Sequence, residues 1–293
     1  MDINFELYKV FFHAASTGSF SHAARNLFIT QSAVSQAVRN LEKKLGCRLF
    51  FRKKRSISLT GEGEILLKHV EQAYNLIKTA ESKLEEIQNL NSGEVKIGAG
   101  DTISKYCLIP YLENYNMKYP GIKIQVINRT SPQILNMLKN GMVDIGIVTL
   151  PVEDQAITTS VFTTVQDVFV ASDRFLNLKG RSVTLEELMQ YPLLLLKESS
   201  STRRNLDKFF NSRGLRVSPE IELESEDLLA EFAGIGMGIA CVMEPRALPE
   251  IKKGRLFKLE TEEALPPREL GICVLKNVPL SRASLRLIEI LKS

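Results

Sequence analysis

The chain has 293 residues, of which 44% are hydrophobic and 25% charged, a composition typical of globular proteins with two or three domains. No apolar run approaches the roughly 18 residues that would span a bilayer, and the start Met1-Asp2-Ile3-Asn4 lacks the features of a signal peptide. We therefore expect a cytoplasmic protein with no membrane partner.

The formal net charge of +4 is unevenly distributed along the chain. Residues 1–59 contain ten Lys or Arg residues against three acidic ones, a net charge of +7, whereas the remaining residues carry −3. Basic charge concentrated at one end indicates a module that binds a polyanion.

Three short helices are predicted at the N-terminus. The first ends at Gly18, a residue that commonly stops helices, and Ser21 is expected to cap a second helix that runs to about Leu27. Thr30 is expected to cap the third helix, whose apolar stripe is Val34, Val38, Leu41 and Leu45. Short helices joined by such a turn are typical of a helix-turn-helix.

The opposite face of the third helix has the chemistry of a recognition surface. Its early residues have amide or hydroxyl side chains, which can read base edges in the major groove of double-stranded DNA: Gln31, Ser32, Ser35 and Gln36. Arg39 lies one turn further on and is expected to contact phosphate.

A β-hairpin wing is predicted after Gly46. Leu49, Phe50 and Phe51 enter one strand, and Ile57 and Leu59 leave the other. The tip between them is cationic and predicts a salt-dependent contact with the DNA backbone, carried by Arg52, Lys53, Lys54 and Arg55.

Residues 61–91 are predicted to form one long helix. Its apolar residues follow a 3.5-residue repeat, which favours pairing with a partner helix: Leu66, Val70, Ala73, Ile77, Ala80, Leu84 and Ile87. We expect a homodimer through residues 66–87, which would present two DNA modules to two half-sites, and a homotetramer built from such dimers. Packing of the helix against the rest of its own chain is the alternative.

The same stretch resembles the LysR-type transcriptional regulators. The matching segments are FSHAARNL at 20–27 and TQSAVSQ at 30–36, followed by LE at 41–42, LG at 45–46, LF at 49–50 and LTGEG at 59–63. The resemblance extends over the whole chain, and it implies base contacts at Gln31, Ser32, Ser35 and Gln36. The family often has Arg at the position of Gln36, so a different or weaker base preference is expected there.

From Glu94 onward short apolar strands alternate with helices, which predicts an α/β fold. Two such units with two crossings resemble the periplasmic-binding-protein fold with which LysR-type regulators sense small molecules. The predicted domains are the winged helix-turn-helix (1–60), the linker helix (61–91), a first effector lobe (93–161 and 267–293) and a second lobe (162–266).

In such folds ligands lie outside the C-terminal ends of strands, in the cleft between the lobes. Three hydroxyl-rich loops beside helix starts meet that description: residues 100–104, 129–132 and 199–203. The resemblance implies effector contacts at Thr102, Thr130, Ser131, Thr202 and the strand end at Thr149, and the first loop adds Asp101 and Ile103. A carboxylate or other small anion would suit these loops, although such hydroxyls also serve as helix caps. Asp101 would disfavour an adjacent anion or bind an amine, which makes an amino-acid-like effector the other possibility.

An enzyme domain and a redox sensor are the alternatives to a metabolite sensor in the C-terminal region. All three histidines lie before residue 70, and neither a GxSxG nor a P-loop motif follows, so we expect no enzyme activity, no metal and no cofactor. The glycines of residues 234–238 follow a helix and precede a strand, the wrong order for a dinucleotide loop. Redox sensing through Cys107, Cys241 or Cys273 stays open as an alternative to metabolite sensing.

Overall fold

The computed structural model describes residues 3–52, 57–88 and 93–293. The chain divides into two compact units, Met1–Ser82 and Lys83–Ser293, which we describe separately. Among the described residues, no helix is both long enough and apolar enough to cross a membrane.

The first unit consists of three short helices, a hairpin and the beginning of a long helix. The elements are α1 (Phe5–Thr17), α2 (Phe20–Asn26), α3 (Gln31–Leu45), β1 (Phe50–Arg52), β2 (Ile57–Leu59) and α4 (Gly61–Gln88). The three helices share one apolar core in which Phe11, Val34, Val38 and Leu41 are completely buried. The hairpin is fixed to this core by Phe50, whose ring lies 5.5 Å from that of Phe11 and 5.6 Å from that of Phe20.

Helix capping confirms two of the three predicted helix boundaries. Gly18 ends α1 in the left-handed conformation, and Thr30 Oγ1 accepts a hydrogen bond from the Ala33 N–H at the start of α3. The cap predicted at Ser21 is wrong, because Ser19 Oγ accepts from the His22 N–H and α2 begins one residue before Ser21. The sequence offers a serine at both positions, and only Ser19 has the extended backbone that an N-cap requires.

The first apolar residues of the α4 repeat pack against the core of the first unit. Val70 is buried, and Leu66 packs against the core of the three short helices. Ile77 and Leu84, further along, are 42% and 62% exposed. The alternative of packing against its own chain therefore holds for the first two repeat positions, whereas the middle of the helix presents apolar side chains to solvent.

The entry into α4 depends on a close approach at Gly63. A Cβ there would lie 2.3 Å from the backbone oxygen of Leu49, whereas a Cβ on Gly61 would meet no atom within 4 Å. We expect Gly63→Ala to destabilise the first unit by about 1–3 kcal/mol, because the backbone oxygen of Leu49 cannot move aside as a flexible side chain can. Urea unfolding of the full chain would measure this, with Gly61→Ala as the matched control. Equal stabilities of the two variants would contradict the explanation.

The second unit contains two five-stranded sheets. The first has the order β4-β3-β5-β14-β6, with β3 parallel to β4 and β5, and β14 antiparallel to β5 and β6. Its strands are β3 (Gly93–Ala99), β4 (Ile122–Asn128), β5 (Ile145–Thr149), β6 (Ile157–Val165) and β14 (Arg268–Leu275). Its helices are α5 (Asp101–Ile103), which continues through a π-helical turn (Ser104–Leu108) into α6 (Ile109–Lys118), then α7 (Ser131–Lys139) and α12 (Arg282–Leu291).

The second sheet has the order β10-β9-β11-β7-β12, and β9, β10 and β11 are parallel. Its strands are β7 (Asp167–Ala171), β9 (Leu193–Leu196), β10 (Ile221–Leu223), β11 (Ile239–Met243) and β12 (Phe257–Lys258). The helices of this lobe are α8 (Leu185–Leu188), α9 (Ser201–Asn211), α10 (Glu226–Gly234) and α11 (Glu244–Lys252), and a small ribbon pairs β8 (Ser182–Val183) with β13 (Glu260–Thr261). The turn at residues 234–238 joins α10 to β11, as the order of elements predicts.

The crossing between the lobes differs from the predicted boundary at residues 161–162, which falls inside β6. This strand stays in the first sheet up to Val165, which pairs with Arg268 of β14, and β7 of the second sheet starts at Asp167. The first crossing is therefore at Gln166, and the return crossing immediately precedes Arg268. Strand β6 pairs with β14 through a register shift between Leu270 and Gly271, and such an irregularity interrupts the two-residue alternation of apolar side chains.

Candidate DNA and effector sites

The recognition surface lies on the first turns of α3. Gln31, Ser32 and Gln36 are exposed, Ser35 is half-buried, and Arg39 is exposed further along the helix. Burial of Val34 and Val38 against the core orients these side chains outward. The five residues named from the sequence therefore share one accessible helix face.

Hydrogen bonds within this face hold two of its side chains. Gln36 Nε2 donates to Asn40 Oδ1 at 2.9 Å, and the hydroxyls of Thr30 and Ser32 lie 2.9 Å apart. A bidentate contact of the Gln36 amide with a base would have to replace the bond to Asn40.

Phe28, in the turn before α3, was not among the predicted site residues. Its side chain is 96% exposed and its φ is 54°, an uncommon conformation for a bulky residue. The turn is closed by the Ile29 N–H, which donates to the Ala24 oxygen at 3.0 Å. The only sequence signal for Phe28 was an apolar residue at a tight connection.

The wing is present as an antiparallel hairpin in which Phe50 pairs with Leu59. Of the predicted cationic tip, Lys53, Lys54 and Arg55 lie outside the described residues, as does the side chain of Arg52.

A cleft of about 700 Å³ separates the two lobes of the second unit. It lies at the carboxyl ends of six parallel strands, three from each sheet, where loops and helix starts converge. All seven residues predicted to contact an effector line it: Asp101, Thr102, Ile103, Thr130, Ser131, Thr149 and Thr202. Loops separated by up to a hundred residues in sequence thus meet at one site.

The floor of the cleft is a chain of hydrogen bonds that reaches the crossing. The Thr149 N–H donates to Ser131 Oγ at 3.3 Å, and Arg268 Nη1 donates to Thr149 Oγ1 at 3.2 Å. Arg268 also binds both oxygens of Asp167, at 2.5 and 2.7 Å. Burial alone would lower the pKa of Arg268, but the charge and hydrogen bonds of Asp167 raise it.

The first cleft loop, predicted at residues 100–104, is more helical than expected, because α5 already starts at Asp101. Asp101 Oδ1 accepts a hydrogen bond from Asn128 Nδ2 at 3.0 Å, and Ser104 Oγ donates to Asn128 Oδ1 at 3.3 Å. Asn128, at the end of β4, thus ties the first loop to the second. This amide was not among the predicted site residues.

The third loop contributes Thr202 and Arg204 to the cleft, but not Arg203. Arg203 is 3% exposed and is held away from the cleft by Asp207, Glu222 and the Leu196 oxygen. Its role is to anchor the first turn of α9 to the second sheet.

Glu226, the first residue of α10, is a buried acid in the cleft wall that the sequence did not reveal. It is 5% exposed, and its Oε2 accepts from the Met243 N–H at 3.0 Å. Burial, reinforced by the negative charge of Asp167, raises the pKa of Glu226 to about 7. The only sequence signal was an acid at a helix start, which is also what a favourable helix dipole requires.

A cluster around Asp227 joins the two lobes. From the first lobe, Lys105 Nζ lies 2.8 Å from Asp227 Oδ2, and the Tyr106 hydroxyl donates to Oδ1 at 3.1 Å. From the second lobe, Arg246 Nε lies 2.5 Å from Oδ1. Burial acts against ionisation, but these partners lower the pKa of Asp227. Lys105 and Tyr106 belong to the π-helical turn, a feature often found at functional sites.

Two family models together match nearly the whole chain. The model described as bacterial regulatory helix-turn-helix protein, lysR family, matches residues 5–64, and the one described as LysR substrate binding domain matches residues 88–293. This chain belongs to the LysR family. The second match coincides with the two-lobed unit, and the first with the helices and wing of the DNA-binding unit.

Curated relatives of this LysR-family chain are transcription regulators. The HTH-type transcriptional activator CmpR of Synechocystis sp. is 30% identical over 255 residues, covering 87% of this chain and 84% of that protein. The HTH-type transcriptional regulator CbbR of Rhodospirillum rubrum is 27% identical over 285 residues, covering 97% and 94%. The chain is thus a LysR-type transcriptional regulator with an effector-binding domain, and not an enzyme.

Solved structures share the fold. A full-length OxyR variant from Pseudomonas aeruginosa superposes with a TM-score of 0.73 at 19% identity, covering 100% of this chain and 94% of that one. CbnR in complex with its target DNA gives a TM-score of 0.71 at 16% identity, with 99% of both chains covered. These similarities confirm the predicted N-terminal helix-turn-helix and two-lobed α/β architecture.

Proposed function

We propose that this LysR-family regulator binds a specific operator through the first turns of α3 and that a small effector in the cleft between the lobes controls this binding. Binding of an effector in the cleft is supported by the convergence of seven predicted contact residues at the strand ends that form this cleft. Effector binding would shift the population between open and closed lobes. We assign the domain limits to residues 1–60, 61–91, 93–165 with 268–293, and 166–267.

The groups that line the cleft favour an effector that is an anion or a zwitterion. Hydroxyls beside the first turns of α7 and α9 suit a carboxylate. Asp101 and Glu226, from opposite lobes, supply acceptors for an ammonium group. Lys197 is already paired with Glu224 at 2.9 Å, so it does not act as a free counter-charge. An amino-acid-like ligand satisfies both sets of groups.

A thermal-shift screen of amino acids, carboxylates and inorganic anions tests this assignment, because a ligand that binds only the folded state raises the melting temperature. A hit is expected to lose affinity by about fivefold to tenfold in Thr202→Val, which removes one hydrogen bond. Thr158→Val, an exposed threonine away from the cleft, is the matched control. Equal losses in both variants would contradict the cleft as the binding site.

The DNA half of the proposal predicts two different responses to substitution. Gln31→Ala should weaken operator binding by about 1–3 kcal/mol and leave binding to unrelated DNA unchanged, because it removes a base contact. Arg39→Gln should weaken binding to the operator and to unrelated DNA alike, because it removes a phosphate contact. It should also reduce the slope of log affinity against log salt by about one. Fluorescence anisotropy over a salt series measures both quantities. An equal loss of affinity for the operator and for unrelated DNA in Gln31→Ala would contradict the assignment of Gln31 to base readout.

We further propose that the exposed part of the α4 repeat, with Ile77 and Leu84, pairs two chains into the homodimer that presents two DNA modules, and that dimers assemble into a tetramer in the cytoplasm. Leu84→Glu is expected to convert the assembly to a smaller species in light-scattering chromatography. An unchanged molar mass would exclude this helix as the interface.

Redox sensing through cysteine is the second candidate, and the thiols are poorly suited to it. Burial raises the pKa of Cys107, takes that of Cys241 well above its usual range and raises that of Cys273 to about 12. The reactive species in thiol oxidation is the thiolate, so these groups stay protonated and slow to react. A disulfide-linked species on non-reducing gels after peroxide treatment would overturn the conclusion that these thiols are poorly suited to redox sensing.

A further inference from the structure

A second cavity of about 900 Å³ opens at the crossing between the lobes. Strand β6 and the residues after β5 form its wall in the first lobe, and α9 and residues 265–267 form its wall in the second. None of the seven predicted effector contacts lines it, and among the described residues only Arg268 lines both this cavity and the effector cleft. It is therefore a separate candidate site.

One part of the lining of this crossing cavity is apolar. It is formed by aliphatic, aromatic and proline side chains from both lobes: Leu150, Pro151, Phe209, Leu265 and Pro266. Neutral polar side chains also line the cavity: Thr159, Thr164, Asn205 and Ser212. A ligand that covers the apolar part needs an apolar body, because burying polar groups against those side chains without hydrogen bonds would be unfavourable.

The charges around the cavity restrict the polar part of the ligand. Lys208 is exposed at the rim, and within the described part of the chain no carboxylate forms an ion pair with it. Asp167 in the wall is already neutralised by Arg268. Glu269 lines the opposite, first-lobe side and would repel a second negative charge. One anionic group at Lys208 is thus favoured, and a dianion is not.

We propose that the crossing cavity binds a small monocarboxylate with an aromatic or branched apolar body, its carboxylate at Lys208. Such a ligand would act on the same helix as the effector, because the first turn of α9 lines the cleft and its later turns, with Lys208 and Phe209, line this cavity. The site stands independently of the effector assigned to the cleft.

The chain contains no tryptophan, so one introduced tryptophan is a unique fluorescent reporter. Thr159→Trp places it on the cavity wall, and Thr158→Trp places it one residue earlier, where the alternation of a strand turns the side chain to the other face. Phenylacetate is expected to change the emission of Thr159→Trp saturably and to leave that of Thr158→Trp unchanged. Ser212→Trp, on the α9 side, serves as a second reporter should Thr159→Trp fail to fold.

Two comparisons test the contact with Lys208 and the charge of the ligand. Lys208→Gln in the reporter background should weaken phenylacetate binding by roughly threefold to tenfold, as expected for a partly exposed charge contact, whereas Lys252→Gln, an exposed lysine outside the cavity, should not. Phenylacetamide and phenethylamine, a neutral and a cationic analogue, should bind more weakly than phenylacetate. The proposal is overturned if neither reporter gives a saturable signal, if Lys208→Gln binds like the parent, or if either analogue binds as tightly.

Discussion

Asp167→Asn is expected to reduce the free energy of unfolding of the two-lobed unit by about 3–5 kcal/mol, because it leaves a buried arginine without its counter-ion. Arg268 is 6% exposed, and both Asp167 oxygens receive hydrogen bonds from it. An asparagine can accept only one of these bonds and carries no charge. Urea denaturation of the full chain, followed by circular dichroism, measures the loss.

Two further variants separate the cost of an unpaired buried charge from other effects of substitution on stability. Asp167→Leu combined with Arg268→Met should recover much of the lost stability, because replacing a buried ion pair by apolar groups of similar size is often neutral. Glu81→Gln removes the partner of Lys78 in a surface pair whose side chains are 54% and 57% exposed, and should cost less than about 1 kcal/mol. A loss below about 1 kcal/mol in Asp167→Asn would contradict the buried-pair explanation.

The position of this pair gives it a role beyond stability. Arg268 starts β14 and Asp167 starts β7, so the pair joins the two segments that cross between the lobes. Arg268 also donates to Thr149 at the floor of the effector cleft. A ligand that competes for the Thr149 hydroxyl would alter the contacts of Arg268, and with them the crossing, and we propose that this is how effector binding would act on the lobes.

The DNA-binding unit was largely predictable from the sequence because its signals are local. Apolar residues at helical spacing, a threonine cap and a glycine stop each act within a few residues, and the structure has helices at those places. The misplaced cap at Ser21 shows the limit of such signals. Two serines two residues apart are equivalent in sequence, and the backbone conformation decides between them.

The effector cleft was predictable in part. Hydroxyl-rich loops after strands mark where strand ends lie, and the parallel order of the strands brings these loops together. The remaining cleft features depend on long-range packing. Glu226 is buried by elements distant in sequence, and the π-helical turn that brings Lys105 and Tyr106 to Asp227 has no local signature. Strand β6 was missed because its register shift against β14 interrupts the two-residue alternation by which a strand is predicted.

Glu226 makes the stability of the two-lobed unit depend on pH in an unusual direction. Its pKa is raised to about 7 from the ordinary value of 4.5, so between these pH values the folded state holds a proton that the unfolded chain releases. The free energy of unfolding should therefore fall as the pH rises from about 4.5 to about 7, by about 3 kcal/mol in total, and then level off. Below pH 4.5 both states are protonated and the contribution is fully present.

Glu226→Gln is expected to remove this dependence, because the amide oxygen still accepts from the Met243 N–H but carries no charge to bury. The variant should match the parent near pH 4.5 and exceed its stability by up to about 3 kcal/mol at pH 8. Glu289→Gln, at an exposed position on α12, should keep the parent's slope. Because Asp167 contributes to the raised pKa, Asp167→Asn should shift the pH window downward, an effect that a purely structural role for Asp167 would not produce. A parental pH profile in Glu226→Gln would exclude this carboxylate as the titrating group.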